Sequence, residues 1–259
     1  MSDSNSWGGE APVGASTRWY VLVAVPLLII AVILTLVLGL VGLGWLWALI
    51  VGLVVAALVG LGLWFFTDSL VANLVGATET SSLHPRLSNL SEELCARSGV
   101  TEPRLLMVNN DAPNAVAFGR SRSSASIAVT NGLVNQMSVV EVEGVLAREL
   151  GRIRSGEVVW DTLGVSMVRL PLAPFGSLGR AAIDWARGGD HDVRSDLEGV
   201  SITRYPPGLM AALERMNANG AARPGAGITE HLWTSGPDRQ SGAVGEWSLD
   251  DRIAVLQEL

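Results

Sequence analysis

The chain has 259 residues, room for one globular domain and an accessory segment, with an apolar fraction of 49% and a mean hydropathy of +0.36. A formal charge of −7 and a pI near 5.0 argue against nucleic acid as a partner and against a polybasic surface for lipid headgroups. The single cysteine, Cys95, excludes an intramolecular disulfide, and on its helix it reads as a small apolar residue.

Residues 1–18 are rich in Ser, Gly and Ala without an apolar period, which predicts a disordered tail. The 49 residues from Trp19 to Thr67 carry no charge. As one helix they would run about 73 Å, whereas a bilayer core takes about 20 residues per span, so the stretch 19–67 predicts two transmembrane helices. Gly39, Gly42 and Gly44 mark the break between spans at 20–38 and 45–66, and Trp19, Tyr20, Trp45, Trp47 and Trp64 fall near their ends, as interfacial aromatics do. The run is too long for a cleaved signal peptide. A buried core hairpin is the alternative. Two spans put both termini on one side, and Arg18, the basic residue beside the first span, points to the inside.

A linker is expected over 68–82, with Gly76, Thr78, Thr80, Ser81 and Ser82, and a globular region over 83–259. Leu87, Leu90 and Leu94 recur at i, i+3 and i+7, and Gly99 follows where a helix would stop. Strands are expected at 104–108, 115–119 and 126–130, with a loop at 109–114. Ser138 and Glu141 form a capping box that opens a helix to about Arg154. Residues 158–186 are moderately apolar but interrupted by Asp161, Arg169, Pro171, Pro174 and Arg180, which predicts a surface or membrane-grazing helical pair. Helices at 190–203, 207–217 and 249–259 complete the reading.

The pieces Leu87-Ser-Asn-Leu90, Asn114-Ala-Val-Ala-Phe-Gly119, Val129-Thr-Asn-Gly-Leu133 and the helix 141–153 keep one order and spacing over about seventy residues. In these the chain resembles the HtpX-type membrane zinc metallopeptidases. Weaker matches run through Asp192 to Asp196, Glu230-His-Leu232 and Arg252-Ile253. The resemblance implies an α+β fold, a mostly helical zincin-like domain with a small sheet behind the transmembrane hairpin. It also implies a zinc cofactor held by H-E-x-x-H and a glutamate from an E-x-x-x-D helix, with the motif glutamate as general base.

This chain departs from that pattern. It reads Arg148-Glu-Leu-Gly-Arg152, so arginines stand at both histidine positions and Glu149 alone remains as a vestigial general base. Asp192 stands at the third-ligand position with Asp196 after it, and Gly245, Glu246 and Trp247 replace the family's Thr-His-Pro. A guanidinium has no lone pair for a metal, so no cofactor is expected. A site rebuilt from His191, Asp192 and Glu149 is the weaker alternative, and His84 and His231 are scattered. Arg148 and Arg152 either pair with Glu149, Asp192 or Asp196 in place of the metal, the favoured arrangement, or snorkel into solvent.

The expected function is a membrane-anchored pseudoprotease serving as scaffold or regulator of a membrane partner, held by the old substrate cleft or the membrane-facing surface, in a bacterial plasma membrane with the globular domain cytoplasmic. The expected partners are the bilayer and a membrane protein or a second copy, without nucleic acid. The alternatives are an active membrane zinc metalloendopeptidase with an aberrant site and a structural or oligomerising membrane protein. Gly39, Gly52, Gly60 and Gly62 are the small residues that could support helix association.

Overall fold

The computed structural model describes residues 13–79, 85–169, 172–173, 176–219, 227–235 and 247–259. Helices α1 (Val13–Leu40) and α2 (Trp45–Val75) form a hairpin, each long and apolar enough to cross a membrane. Small residues let them approach. A Cβ on Gly52 would lie 2.7 Å from the Ala31 carbonyl oxygen, and Gly60 meets Leu27, so these two glycines serve the hairpin itself.

The expected tail is corrected in part: residues 13–18 are already helical, and 1–12 lie outside the described residues. The expected linker also starts as helix. Asp68 ends the uncharged run but not α2, because Thr67 Oγ1 donates to Ser166 Oγ at 2.8 Å and Val71 and Val75 are buried against the sheet. A charge stops a hydrocarbon span without stopping backbone hydrogen bonding. Residues 80–84, with Thr80, Ser81, Ser82 and His84, are outside the described residues.

Four strands, β1 (Ala77–Thr78), β2 (Arg104–Val108), β3 (Ala115–Phe118) and β4 (Ser126–Thr130), pair in the order β1-β2-β4-β3. The β2–β4 pair is parallel with Leu105 opposite Ile127, and β3 runs antiparallel to β4 with Ala117 opposite Ile127. The period of two is plain in the core. Leu105, Met107, Ala115, Ala117, Ile127 and Val129 belong to one apolar cluster, whereas Leu106, Val108, Val116, Phe118 and Ala128 join Val71 and Val75 of α2 in another. The end of the second span is thus packed onto one face of the sheet.

On the other face lie α3 (Pro85–Ser98), which buries Leu87, Leu90 and Leu94, and α5 (Val139–Ser155), opened by the Ser138–Glu141 capping box. Between β4 and α5 the short α4 (Asn131–Gln136), absent from the sequence reading, starts on Thr130, whose hydroxyl accepts from Leu133 N. The interrupted stretch after α5 becomes α6 (Glu157–Gly164), a π-helical turn at Val165–Arg169, and α7 (Gly176–Arg187). Helices α8 (His191–Thr203), α9 (Pro206–Asn219) and α10 (Leu249–Gln257) follow. The fold is α+β, mostly helical with a small mixed sheet.

Candidate functional site

Helices α5 and α8 cross with glycine at the contact, and that close approach builds the site. A Cβ on Gly199 would lie 2.7 Å from Arg148 Cα and N, and one on Gly151 would lie 2.8 Å from Glu198 Cβ. The crossing brings Asp192 and Asp196 of α8 under Arg148 of α5.

Arg148 is 1% exposed and gives each guanidinium nitrogen to a different carboxylate. Its Nε donates to Asp196 Oδ1 at 2.7 Å, Nη1 to Glu149 Oε1 at 2.7 Å and Nη2 to Asp192 Oδ1 at 3.1 Å. Arg152, also 1% exposed, donates from Nη1 to Glu149 Oε2 at 2.8 Å and to the Leu232 carbonyl at 2.9 Å. Its Nη2 donates to Asp161 Oδ2 at 2.7 Å. From α10, Arg252 grips Asp196 with Nε and Nη2 at 2.7 and 2.8 Å.

Glu149 is fully buried, and each of its oxygens accepts twice. Oε1 takes Arg148 Nη1 and the Thr234 hydroxyl at 2.8 Å, and Oε2 takes Arg152 Nη1 and the backbone amide of Ala117 at 2.8 Å. A carboxylate has about four lone-pair sites. All are occupied.

The electrostatics follow from this pairing. Burial works against the charge of Arg148, but Asp196, Glu149 and Asp192 more than offset it, so its pKa is raised. Burial likewise pushes Glu149 up, and Arg152, Arg148, Thr234 and Ala117 pull it further down, so the carboxyl is held below its usual range. Asp161 and Asp192 are held well below theirs, against burial, by Arg187 and His191 among others. Asp192 is the most open member, with 34% of its side chain exposed.

A second layer surrounds Asp161. Arg187, at the end of α7, reaches Asp161 Oδ1 at 3.3 Å and contacts His191 Nδ1 at 2.9 Å. An arginine only donates, so Nδ1 accepts and the imidazole proton sits on Nε2, facing Asp161 and Glu157 at 3.2 and 3.4 Å. His231 stays neutral. Burial, reinforced by Arg187, pushes it down to about 3, and its Nε2 lies 3.3 Å from the Asp161 carbonyl.

The β3 edge of the sheet is also filled. Strand β3 is an edge, and Trp233 bridges Val116 there in antiparallel sense while Thr234 N donates to the Ala115 carbonyl at 2.9 Å. The segment that carries the Thr234 hydroxyl to Glu149 is therefore hydrogen-bonded along the strand that passes over it.

The model of peptidase family M48 matches residues 81–224. The chain belongs to this family. Among its M48 relatives, a protease HtpX homolog of Salinibacter ruber is 28% identical over 247 residues, covering 80% of this chain and 88% of the relative. One from Paraburkholderia phytofirmans is 24% identical over 249 residues, covering 80% and 87%. One from Campylobacter curvus is 35% identical over 138 residues, covering 51% and 48%. No solved structure matches. With these relatives and two membrane-length apolar helices, the chain is a membrane protein.

The zinc that HtpX-type members use does not fit these residues. Arg148 and Arg152, which the resemblance sets at the motif-histidine positions, are buried guanidiniums already bonded to Glu149, Asp161, Asp192 and Asp196. Around them the four guanidiniums of Arg148, Arg152, Arg187 and Arg252 face the four carboxylates of Glu149, Asp161, Asp192 and Asp196, so a divalent cation would leave two positive charges uncompensated. Among the described residues no group of three or more His, Cys, Asp or Glu is arranged to hold a metal.

Of the residues singled out in sequence, the structure brings together Arg148, Glu149, Arg152, Asp192 and Asp196. His191 is turned to Glu157, Asp161 and Asp192. Trp247 donates to Asp190 Oδ1 at 3.0 Å, and Gly245 and Glu246 lie outside the described residues. Sequence reasoning missed Asp161, Arg187, Thr234 and the Ala117 amide, and it noted Arg252 without a role. The signal for Asp161 was a charge interrupting an apolar run.

Proposed function

We propose that this chain is a catalytically inactive M48 member, a membrane-anchored pseudoprotease that acts as a scaffold or regulator of a membrane partner. The observation that carries the reading is the saturation of Glu149. A general base needs a free lone pair beside a water of lowered pKa, and here four donors occupy the carboxylate and hold its pKa down. Arg148 takes over the structural task of a metal, tying α5 to α8 through Asp192 and Asp196 while also holding Glu149 of its own helix.

The β3 edge is a poor place for an extended peptide partner, because Trp233 and Thr234 already pair with it. Partner binding is assigned instead to the hairpin of residues 19–67 and the surfaces beside it, with 83–259 as the M48-type domain. Arg18 and Arg120 flank the hairpin at its domain end, the latter donating to the Phe65 carbonyl at 3.2 Å, while the turn at 41–44 has no basic residue. That asymmetry supports a cytoplasmic domain.

The test compares the purified full chain with Glu149→Gln on an unfolded membrane-protein substrate with added zinc. No cleavage by either chain is expected. Zinc-dependent cleavage that Glu149→Gln abolishes overturns the proposal.

A further inference from the structure

Helix α7 is too short to span a bilayer, since its 12 residues rise about 18 Å. It is nonetheless apolar on two sides. Ile183 and Ala186 are buried with Trp19, Leu163 and Met167, and Gly179 is buried beside Leu172 and Arg169, whereas Leu178, Ala181 and Trp185 recur at i, i+3 and i+7 on an exposed face. Leu178 is 59% and Trp185 49% exposed. Ser177, Arg180 and Asp184 occupy the sector between. By contrast, α6 and the π-helical turn after it bury most of their residues, so the grazing pair expected from sequence reduces to α7.

What covers that face is indicated by where α7 sits. Arg18 donates to the Trp185 carbonyl at 3.2 Å and places its guanidinium 5.5 Å from the Trp185 ring. Arg18 is the last charge before α1 enters the uncharged run, and the exposed residues that follow along it include Tyr20, Val21, Val25, Leu28 and Ile29. The apolar face of α7 is therefore continuous with the lipid-facing surface of α1, at the depth where an interfacial tryptophan and a snorkelling arginine belong.

We propose that α7 lies in the headgroup–acyl boundary of the bilayer that α1 and α2 cross, with Leu178, Ala181 and Trp185 immersed in lipid. This rests on the membrane reading of the hairpin. It makes α7 an in-plane amphipathic anchor, and its last residue, Arg187, contacts Asp161, so the anchor is joined to the buried ionic cluster.

The test uses the full chain in phosphatidylcholine–phosphatidylglycerol vesicles with a nitroxide on single introduced thiols, the native Cys95 being buried. Leu178→Cys, Ala181→Cys and Trp185→Cys are compared with Leu28→Cys within the first span and Glu93→Cys on α3. Leu178 and Ala181 are exposed, so their replacement is expected to leave the fold intact if Trp185→Cys does not. Collisions with oxygen report lipid and collisions with a water-soluble nickel chelate report water. The α7 sites are expected to lie between Leu28 and Glu93 in depth, with oxygen accessibility approaching that of Leu28 and nickel accessibility several-fold below Glu93. Nickel accessibility equal to that of Glu93 overturns the proposal, and low accessibility to both reagents overturns it in favour of a covering protein, whether a second copy or another chain. A water-like Leu28 would overturn the membrane reading as well, and so distinguishes the two failures.

Discussion

Asp196 carries more of the ionic cluster than Asp192, and their alanine variants should separate widely. Asp196 is 1% exposed and accepts three bonds of 2.7 to 2.8 Å from Arg148 and Arg252. Asp196→Ala strands two buried guanidiniums, and breaking a buried pair costs about 3 to 5 kcal/mol. Asp192 accepts one bond from Arg148, at 3.1 Å, and is 34% exposed, so water can replace it. Asp192→Ala is worth about 1 kcal/mol, the upper range for a solvated pair. With about 2 to 4 °C per kcal/mol for a domain of this size, melting in detergent should fall by about 6 to 20 °C for Asp196→Ala and by about 2 to 4 °C for Asp192→Ala. Exchanging the three partners for apolar residues, Arg148→Met, Asp196→Leu and Arg252→Met together, should recover much of the loss. Equal losses for the two alanine variants, or a loss under about 2 °C for Asp196→Ala, would refute the cluster as described.

His231 sets a pH dependence. Its folded pKa of about 3 lies below the usual value near 6.5, so the unfolded chain takes the proton first as pH falls. Its contribution is whole above pH 6.5 and declines below it, about 1 kcal/mol between pH 6 and pH 5. Equilibrium unfolding should show that slope, and His231→Gln should remove it. The lowered carboxyls of Glu149, Asp161 and Asp192 act in the same direction but only as pH falls through about 4, where the unfolded chain takes their protons. Gly199→Ala forces a Cβ to within 2.7 Å of the Arg148 backbone and should cost about 1 to 3 kcal/mol by parting α5 from α8, read as a lowered melting temperature. The triple change Arg148→His, Arg152→His, Asp192→Glu restores three family ligands around one point. Micromolar zinc should raise its melting temperature and leave that of the parent chain unmoved.

Local signals carried much of the fold. The Leu87, Leu90 and Leu94 period, the Ser138–Glu141 cap and the Gly-punctuated apolar run each declare an element within a few residues. The two-residue β1 and the six-residue α4 are too short to show a period, and α2 continues past Asp68 because tertiary contacts at Thr67, Val71 and Val75 hold it. At the site, positions 148, 149, 152, 192 and 196 are legible through their place in a spaced motif. Their partners are not, since Asp161 comes from α6, Arg187 from the end of α7, Arg252 from α10 and Thr234 from the segment along β3, and each meets the cluster only in the folded chain. Nothing local in sequence marks Thr234 as a donor to a carboxylate 85 residues away.

The central claim is that buried guanidiniums stand where a metal would be held. Elemental analysis of the full chain, purified without chelators from zinc-supplemented cells, measures it directly. The account predicts far less than one zinc per chain, unchanged by Glu149→Gln. A stoichiometric zinc that survives gel filtration and is lost on His191→Ala or Asp192→Ala would contradict it.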